Sequence, residues 1–250
     1  LLVGATDGLF ALQIRGNSYS FERIQFTNIN NPSNFERVYS ILHWKAQQYF
    51  LATRGGVVLY DRSTGRFTVF EHDPKNKKNT ILPGVCRMIY KAWDGTVYFA
   101  TSVGGLNVLK QTDKGIQIVP SNHNALIASL SNDYITHVTQ VSKHDFWMGT
   151  MGSGIIHVNT KSNKGEVFNK SKGLPNNVVY GILVDNKGQF WFSSNKGISK
   201  FDPIDKSILN FTEIDGLMGN EFNQGAFLAS RAGIFYFGGI YGFNFFDPLA

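Results

Sequence analysis

The side chains in these 250 residues that could do chemistry are amides, isolated charges and an aromatic placed in turn-like sequence: Arg54, Asn132, Asn177, Asn195, Lys196, Asn220, Glu221, Asn223 and Tyr241. Asparagine offers a donor and an acceptor together, and tyrosine or methionine can cover the face of a ring, so this set suits a polyhydroxylated ligand. The competing reading is that turns use asparagine for themselves, through its tolerance of left-handed backbone and its capping of local N–H groups. Catalytic patterns are weak: the sequence has no GxSxG elbow, no HExxH and no phosphate-binding loop. The six histidines lack metal-ligand spacing, and His137 and His157 alternate with apolar neighbours as structural histidines do. Neither a metal nor a cofactor is expected. Glycoside hydrolysis needs two carboxylates flanking one bond. Glu221 is a candidate, and no convincing second partner is evident among the loops expected beside it. The acids in Asp61 to Gly65, Asp94-Gly95 and Asp185 to Gly188 have a hairpin explanation.

The elements that must position these residues form a repeat. The stretch from Gly173 to Pro203, GLPNNVVYGILVDNKGQFWFSSNKGISKFDP, reads as turn, apolar strand (Val178 to Val184), polar glycine turn, second strand (Phe190 to Phe192), glycine turn and third strand. Connections this short force antiparallel neighbours. The glycine closing the turn after the second strand recurs as Gly8, Gly56, Gly105, Gly154, Gly197 and Gly242, at intervals of 48, 49, 49, 43 and 45 residues. A period of that length filled with strands marks propeller blades. The expected fold is all-β: a β-propeller of four-stranded antiparallel blades, with six blade-like units over residues 1–27, 28–73, 74–120, 121–170, 171–213 and 214–250. They form one domain, 1–250, with the first unit lacking its innermost strand and the last its outermost. Either flanking sequence completes a larger ring, with seven blades the natural number, or the units form an open arc; the first is expected. A helical turn could sit at ALIASL, in the long connection from Ser121 to Asn132.

Second strands such as QFWFSS, DFWMGT and GIFYFGG are apolar on both faces, as strands sandwiched between neighbouring sheets must be. Trp147 and Trp191 hold equivalent positions, which assigns them to packing between blades. Cys86, the single cysteine, sits in an apolar strand and reads as a buried thiol. Strand alternation puts two classes of loop on one face. Loops entering the innermost strand carry Asn34, Asn132, Asn176, Asn177, Asn220, Glu221 and Asn223. Those joining second to third strands carry Arg54, Ser102, Met151, Asn195, Lys196 and Tyr241.

A hydrophobic content of 42% with 14% aromatics supports a sizeable core, and no apolar run nears the roughly 18 residues that span a bilayer. The net charge of +6 permits an acidic polymer as partner without demanding one; the lysine groups at 75, 77 and 78, and at 161, 164, 170 and 172, read as solvated turns. Aromatics confined to apolar strands, not interleaved with arginines, argue against nucleic acid. The opening LLVGATDGLF has no signal-peptide pattern and matches the middle of a unit, so the chain is expected to be a fragment of a longer one.

The units, above all GLPNNVVYGILVDNKGQFWFSSNKGISKFDP and IDGLMGNEFNQGAFLASRAGIFYFGGIYGFNFFDP, resemble the regulator-propeller repeats in the sensor region of gut-bacterial hybrid two-component system proteins. GLxxNEFNxGA and GGxxGFNFFDP resemble the end of that region's last propeller. The first two units depart from the pattern, with HWKAQQYFLAT in place of an acidic turn and Trp strand. The resemblance implies a periplasmic location, dimers, a following β-sandwich, recognition of an oligosaccharide, and histidine kinase activity elsewhere in the full-length protein. It implies no catalysis, membrane contact or nucleic-acid contact by this stretch. Two rival readings are a propeller lyase or glycosidase, and a scaffold or protein-docking propeller without a small ligand.

Overall fold

The computed structural model describes residues 1–76, 80–103, 105–113, 115–121 and 134–250. The expected ALIASL turn, Asn132, Lys77 and Lys78 lie outside the described residues. The fold is an all-β propeller: among the described residues six antiparallel sheets follow one another along the chain, four of four strands and the first and last of three. Its only helical pieces there are three one-turn 3-10 segments. No helix of the described residues is long and apolar enough to cross a membrane. By contact density the chain divides into two compact units, Leu1–Asn132 and Asp133–Ala250.

In the first unit, the first blade holds β1 (Leu2–Gly4), β2 (Leu9–Arg15) and β3 (Ser18–Ile24). The second holds β4 (Val38–Lys45), β5 (Gln48–Thr53), β6 (Gly56–Asp61) and β7 (Arg66–Phe70), and the third β8 (Cys86–Lys91), β9 (Val97–Thr101), β10 (Gly105–Thr112) and β11 (Gly115–Pro120). Alternation along β5 explains why it is apolar on both faces. Phe50 and Ala52 pack with Val97 and Phe99 of the third blade, while Leu51 joins Leu9 and Phe26 on the other side. Each such side chain contributes roughly 1.5–3 kcal/mol on burial. Cys86 is fully buried, which pushes its thiol pKa up to about 12 and leaves it inert.

In the second unit, the fourth blade holds β12 (Ile135–Gln140), β13 (Asp145–Thr150), β14 (Ile155–Asn159) and β15 (Lys164–Phe168). The fifth holds β16 (Gly181–Val184), β17 (Phe190–Ser194), β18 (Gly197–Phe201) and β19 (Ile208–Phe211), and the sixth β20 (Phe222–Ala229), β21 (Phe235–Gly239) and β22 (Gly242–Phe246). The tryptophans are blade-to-blade wedges: Trp147 lies 4.4 Å from Phe190 and Trp191 lies 4.9 Å from Phe246, ring centre to ring centre. The turn acid Asp185 does more than close a hairpin. It is buried, accepts the Lys187 and Gln189 N–H groups, and takes the Trp191 Nε1–H at 3.0 Å.

Two local features differ from the sequence reading. The apolar run Val178 to Val184 is not one strand. Its first residues bond to a neighbouring blade, Val179 N–H donating to Thr150 O at 2.8 Å and Val178 bridging Met151, so β16 begins only at Gly181. The innermost strand β20 is bulged between Phe222 and Phe227. The bulge carries Phe227 over Gly181, where a Cβ would come within 2.0 Å of its ring, and on to the edge of His137 at 4.6 Å. Gln224 in the same bulge accepts the Tyr134 hydroxyl at 2.9 Å. The three innermost strands of this unit are thereby bound together by side chains. Burial holds the His137 pKa down to about 4, against a hydrogen bond with the Ile182 backbone.

Candidate functional site

In the second unit two turns of the expected kinds meet. The β17–β18 turn presents Asn195 and Lys196, and the β21–β22 turn presents Ile240 and Tyr241. Between them the segment from Glu213 to Glu221 leads into β20. Backbone bonds set the arrangement: Gly197 N–H donates to Asn220 O at 2.8 Å, and Ile240 N–H to Glu221 O at 3.2 Å. Gly197 holds φ +95°, and a Cβ there would fall 2.0 Å from Phe211 O, so only glycine closes this turn. Gly219 is required for another reason: a Cβ would stand 2.7 Å from the Tyr241 ring, which rests directly on that backbone.

The result is a cavity of about 310 Å³ lined by Asn195, Lys196, Glu213, Asn220, Glu221, Ile240 and Tyr241. Five of the nine residues singled out from sequence line it: Asn195, Lys196, Asn220, Glu221 and Tyr241. Asn220 is partly committed, its Oδ1 accepting Glu213 N–H at 3.0 Å. Asn195 Oδ1 accepts Asn176 Nδ2–H at 2.5 Å, which fixes the amide and leaves its own Nδ2 for a ligand. Glu213 and Glu221 are exposed, and their carboxylates, like the Lys196 ammonium, make no ion pair or hydrogen bond among the described residues. Tyr241 is 68% and Ile240 54% exposed, an apolar shelf beside these polar groups.

The other candidates fall elsewhere. Asn177 serves its turn, with Oδ1 accepting Lys170 N–H at 2.8 Å and its carbonyl accepting Gly154 N–H at 2.8 Å. Asn223 is exposed at the start of β20, outside the cavity lining. Arg54 is exposed in the first unit, where its N–H donates to Arg37 O at 3.3 Å. Asn132 lies outside the described residues. Sequence reasoning missed Glu213 and Ile240. The signal for Glu213 was present: it precedes Asn220 by seven residues as Lys170 precedes Asn177.

A larger concavity, about 800 Å³ between the fourth and fifth blades, is lined by Asp145, Trp147, His157, Glu166, Phe168 and Lys206 among others. Four of its titratable groups pair off, Asp145 with His157 and Glu166 with Lys206. Asp145 Oδ1 faces His157 Nε2 at 3.1 Å and Asn159 Nδ2 at 2.7 Å, while its other oxygen accepts the Ser142 hydroxyl. Burial raises the Asp145 pKa, and these hydrogen bonds more than offset it, so the net shift is downward. Glu166 is held by Lys172 at 3.0 Å and Lys206 at 3.0 Å. A third hollow of about 470 Å³ beside β22 is mostly apolar, lined by Trp191, Phe211, Leu217, Met218, Phe243 and Phe246. Of these three, the smaller rim cavity brings together two carboxylates and an ammonium that make no ion pair among the described residues.

Comparisons with known proteins bear on the repeat and the fold. Residues 173–196 match the family model described as a two component regulator propeller. Over 89 residues the chain is 37% identical to Histidine kinase P4 of Formosa agariphila, a match covering 34% of this chain and 6% of that protein. Among solved structures, the extracellular domain of a hybrid two component system from B. thetaiotaomicron matches 99% of this chain and 32% of its own, at 23% identity and a TM-score of 0.72. A gluconolactonase from Xanthomonas campestris matches 95% of this chain and 77% of its own, at 12% identity and a TM-score of 0.58. Both structural likenesses concern the fold. The chain spans about a third of the length of the hybrid-system domain it matches and a small part of the kinase.

Proposed function

We propose that this chain, whose residues 173–196 match the two component regulator propeller model, is the ligand-sensing propeller of a hybrid two-component histidine kinase, facing the periplasm. Its ligand is an oligosaccharide, and the output is control of genes for glycan use. The chain catalyses nothing itself; phosphotransfer belongs to other parts of the full-length protein. The observation that carries this reading is the rim cavity, where two amides with free Nδ2 groups, an ammonium and two carboxylates line a shelf of Ile240 and Tyr241. Such mixed donors and acceptors beside an apolar surface are what a polyhydroxylated ring requires. Signalling then follows from differential affinity: the ligand favours one arrangement of a dimer, in contact with a following β-sandwich, over another.

Isothermal calorimetry of the full chain against an oligosaccharide panel tests the reading. Saturable binding that weakens on Lys196→Ala or Tyr241→Ala supports it, whereas silence across the panel with capture of a protein ligand instead would overturn it. One observation favours a second reading. Glu213 supplies, beside Glu221, the second carboxylate that a glycosidase needs. Turnover of a bound glycan that Glu221→Gln abolishes would establish hydrolysis in place of sensing.

A further inference from the structure

We propose that the rim cavity admits neutral or amine-bearing sugar residues and turns away uronate- and sulfate-bearing ones, although the chain as a whole carries a net charge of +6. The inference rests on the reading of this cavity as a saccharide site.

Local charge is the argument. Two carboxylates, Glu213 and Glu221, line the cavity against one ammonium, Lys196. Neither carboxylate is neutralised by an ion pair among the described residues. A third acid, Asp215, stands two residues from Glu213 and is fixed there, its Oδ2 accepting from Thr212 N–H and the Thr212 hydroxyl at 2.8 and 3.1 Å. Lys196 is the one basic residue of this lining among the described residues of the second unit. Lys172 and Lys206 are tied to Glu166, beside the larger concavity. Over the distances of a small cavity the nearest charges decide, because charges beyond about 8–10 Å are screened.

Hydrogen-bond chemistry agrees with charge. Carboxylates only accept, and hydroxyl or ammonium groups of a sugar can donate to them. The Asn195 and Asn220 Nδ2 groups and Lys196 Nζ supply complementary donors to hydroxyl and ring oxygens. A sugar carboxylate or sulfate would find these donors set among two like charges. At about 310 Å³, near the lower end of the roughly 300–1,000 Å³ typical of small-molecule pockets, the cavity takes the end of a glycan chain and not its length.

The test is a glycan array probed with the full chain, spanning neutral, amine-bearing, uronate and sulfated oligosaccharides, followed by calorimetry on the strongest hit and its C6-oxidised counterpart. The expected hits are neutral or amine-bearing, with the oxidised counterpart binding about fivefold or more weakly, the size of two partly screened like-charge contacts. The variant Glu213→Gln/Glu221→Gln, altered at two exposed positions, should bring the two ligands within about twofold of each other. Strongest hits among the acidic glycans, or a preference unchanged in the double variant, would overturn the charge selection while leaving saccharide sensing intact. No hit in any class would overturn the sensing reading, and this inference with it.

Discussion

The turns that lead into the fifth and sixth blades share a backbone and differ in chemistry. Before the fifth blade, Asn169 opens a one-turn 3-10 segment that ends at Gly173 with φ +95°, and Asn177 ties back to Lys170 N–H while accepting Gly154 N–H. Before the sixth, Thr212 opens the same segment, Gly216 ends it at φ +98°, and Asn220 ties back to Glu213 N–H while accepting Gly197 N–H. On that common frame Lys170 is exchanged for Glu213, Val178 for Glu221, Lys196 for Tyr241, and Asn176 for Gly219. The last exchange has the clearest consequence. Asn176 closes its position by bonding to Asn195, whereas Gly219 leaves room for an aromatic ring. What the repeat preserves is the set of bonds that shape the turn, and what it frees is the side chains pointing away from it.

If the frame is common, breaking it should cost the same in either place, and this is the largest effect expected. A Cβ at Gly154 would fall 2.1 Å from Phe168 O and at Gly197 2.0 Å from Phe211 O, with φ +86° and +95°. Gly154→Ala and Gly197→Ala should each lower stability by about 2–4 kcal/mol, from strain at positive φ and the clash with backbone. Urea unfolding of the two variants measures it. A tolerant Gly154 beside an intolerant Gly197 would show that the turns are not built alike.

The inner strands behind these turns carry a second, pH-dependent contrast, because the rim carboxylates are open to water and His137 is enclosed. The His137 pKa is lowered to about 4 from an ordinary 6.5. Between those values the unfolded chain binds more protons, so this contribution is complete above pH 6.5 and is lost as the pH falls toward 4. On the order of 3 kcal/mol is at stake. Melting temperature against pH should drop over that window and flatten in His137→Phe. A drop of the same size in the variant would assign it to other groups. Next in size is Gly219→Asn, which imposes the fifth-blade residue on the sixth. It should displace Tyr241, cost about 1–2 kcal/mol and weaken ligand binding, read by tyrosine fluorescence and calorimetry.

The same contrast explains what could be read from sequence. The six units and their strand order were legible because the turn glycine recurs, and five of the six, all but Gly8, stand at positive φ, a need that few other residues meet. The tryptophan wedges were legible because two-sided burial demands uninterrupted apolar strands. Glu213 was overlooked although the spacing it shares with Lys170 was there, since that spacing gains meaning only from the bond Asn220 makes back across seven residues, in a segment that reads as the tail of an outer strand. The run beginning at Val178 misled because an apolar, β-branched stretch pairs equally well with the loop of a neighbouring blade. The β20 bulge left no sign beyond Gly225, at φ +78°, and the empty place at Gly181 that Phe227 fills.

The smallest expected effect separates frame from decoration most cleanly. Asn177→Ala and Asn220→Ala each remove one hydrogen bond to the first N–H of a 3-10 segment, at 2.8 and 3.0 Å. Each should therefore cost about 1 kcal/mol in urea unfolding, as the loss of a side-chain cap does. Their effects on ligand should part. Asn220 lines the cavity and contributes Nδ2, so its loss should weaken saccharide binding several-fold, while Asn177, outside that lining, should leave affinity unchanged once the stability loss is matched. Equal stability costs with unequal affinities would mean that one amide serves the turn alone and its counterpart serves both turn and ligand. Equal affinities would return Asn220 to the turn and leave Asn195, Lys196 and Tyr241 to carry recognition.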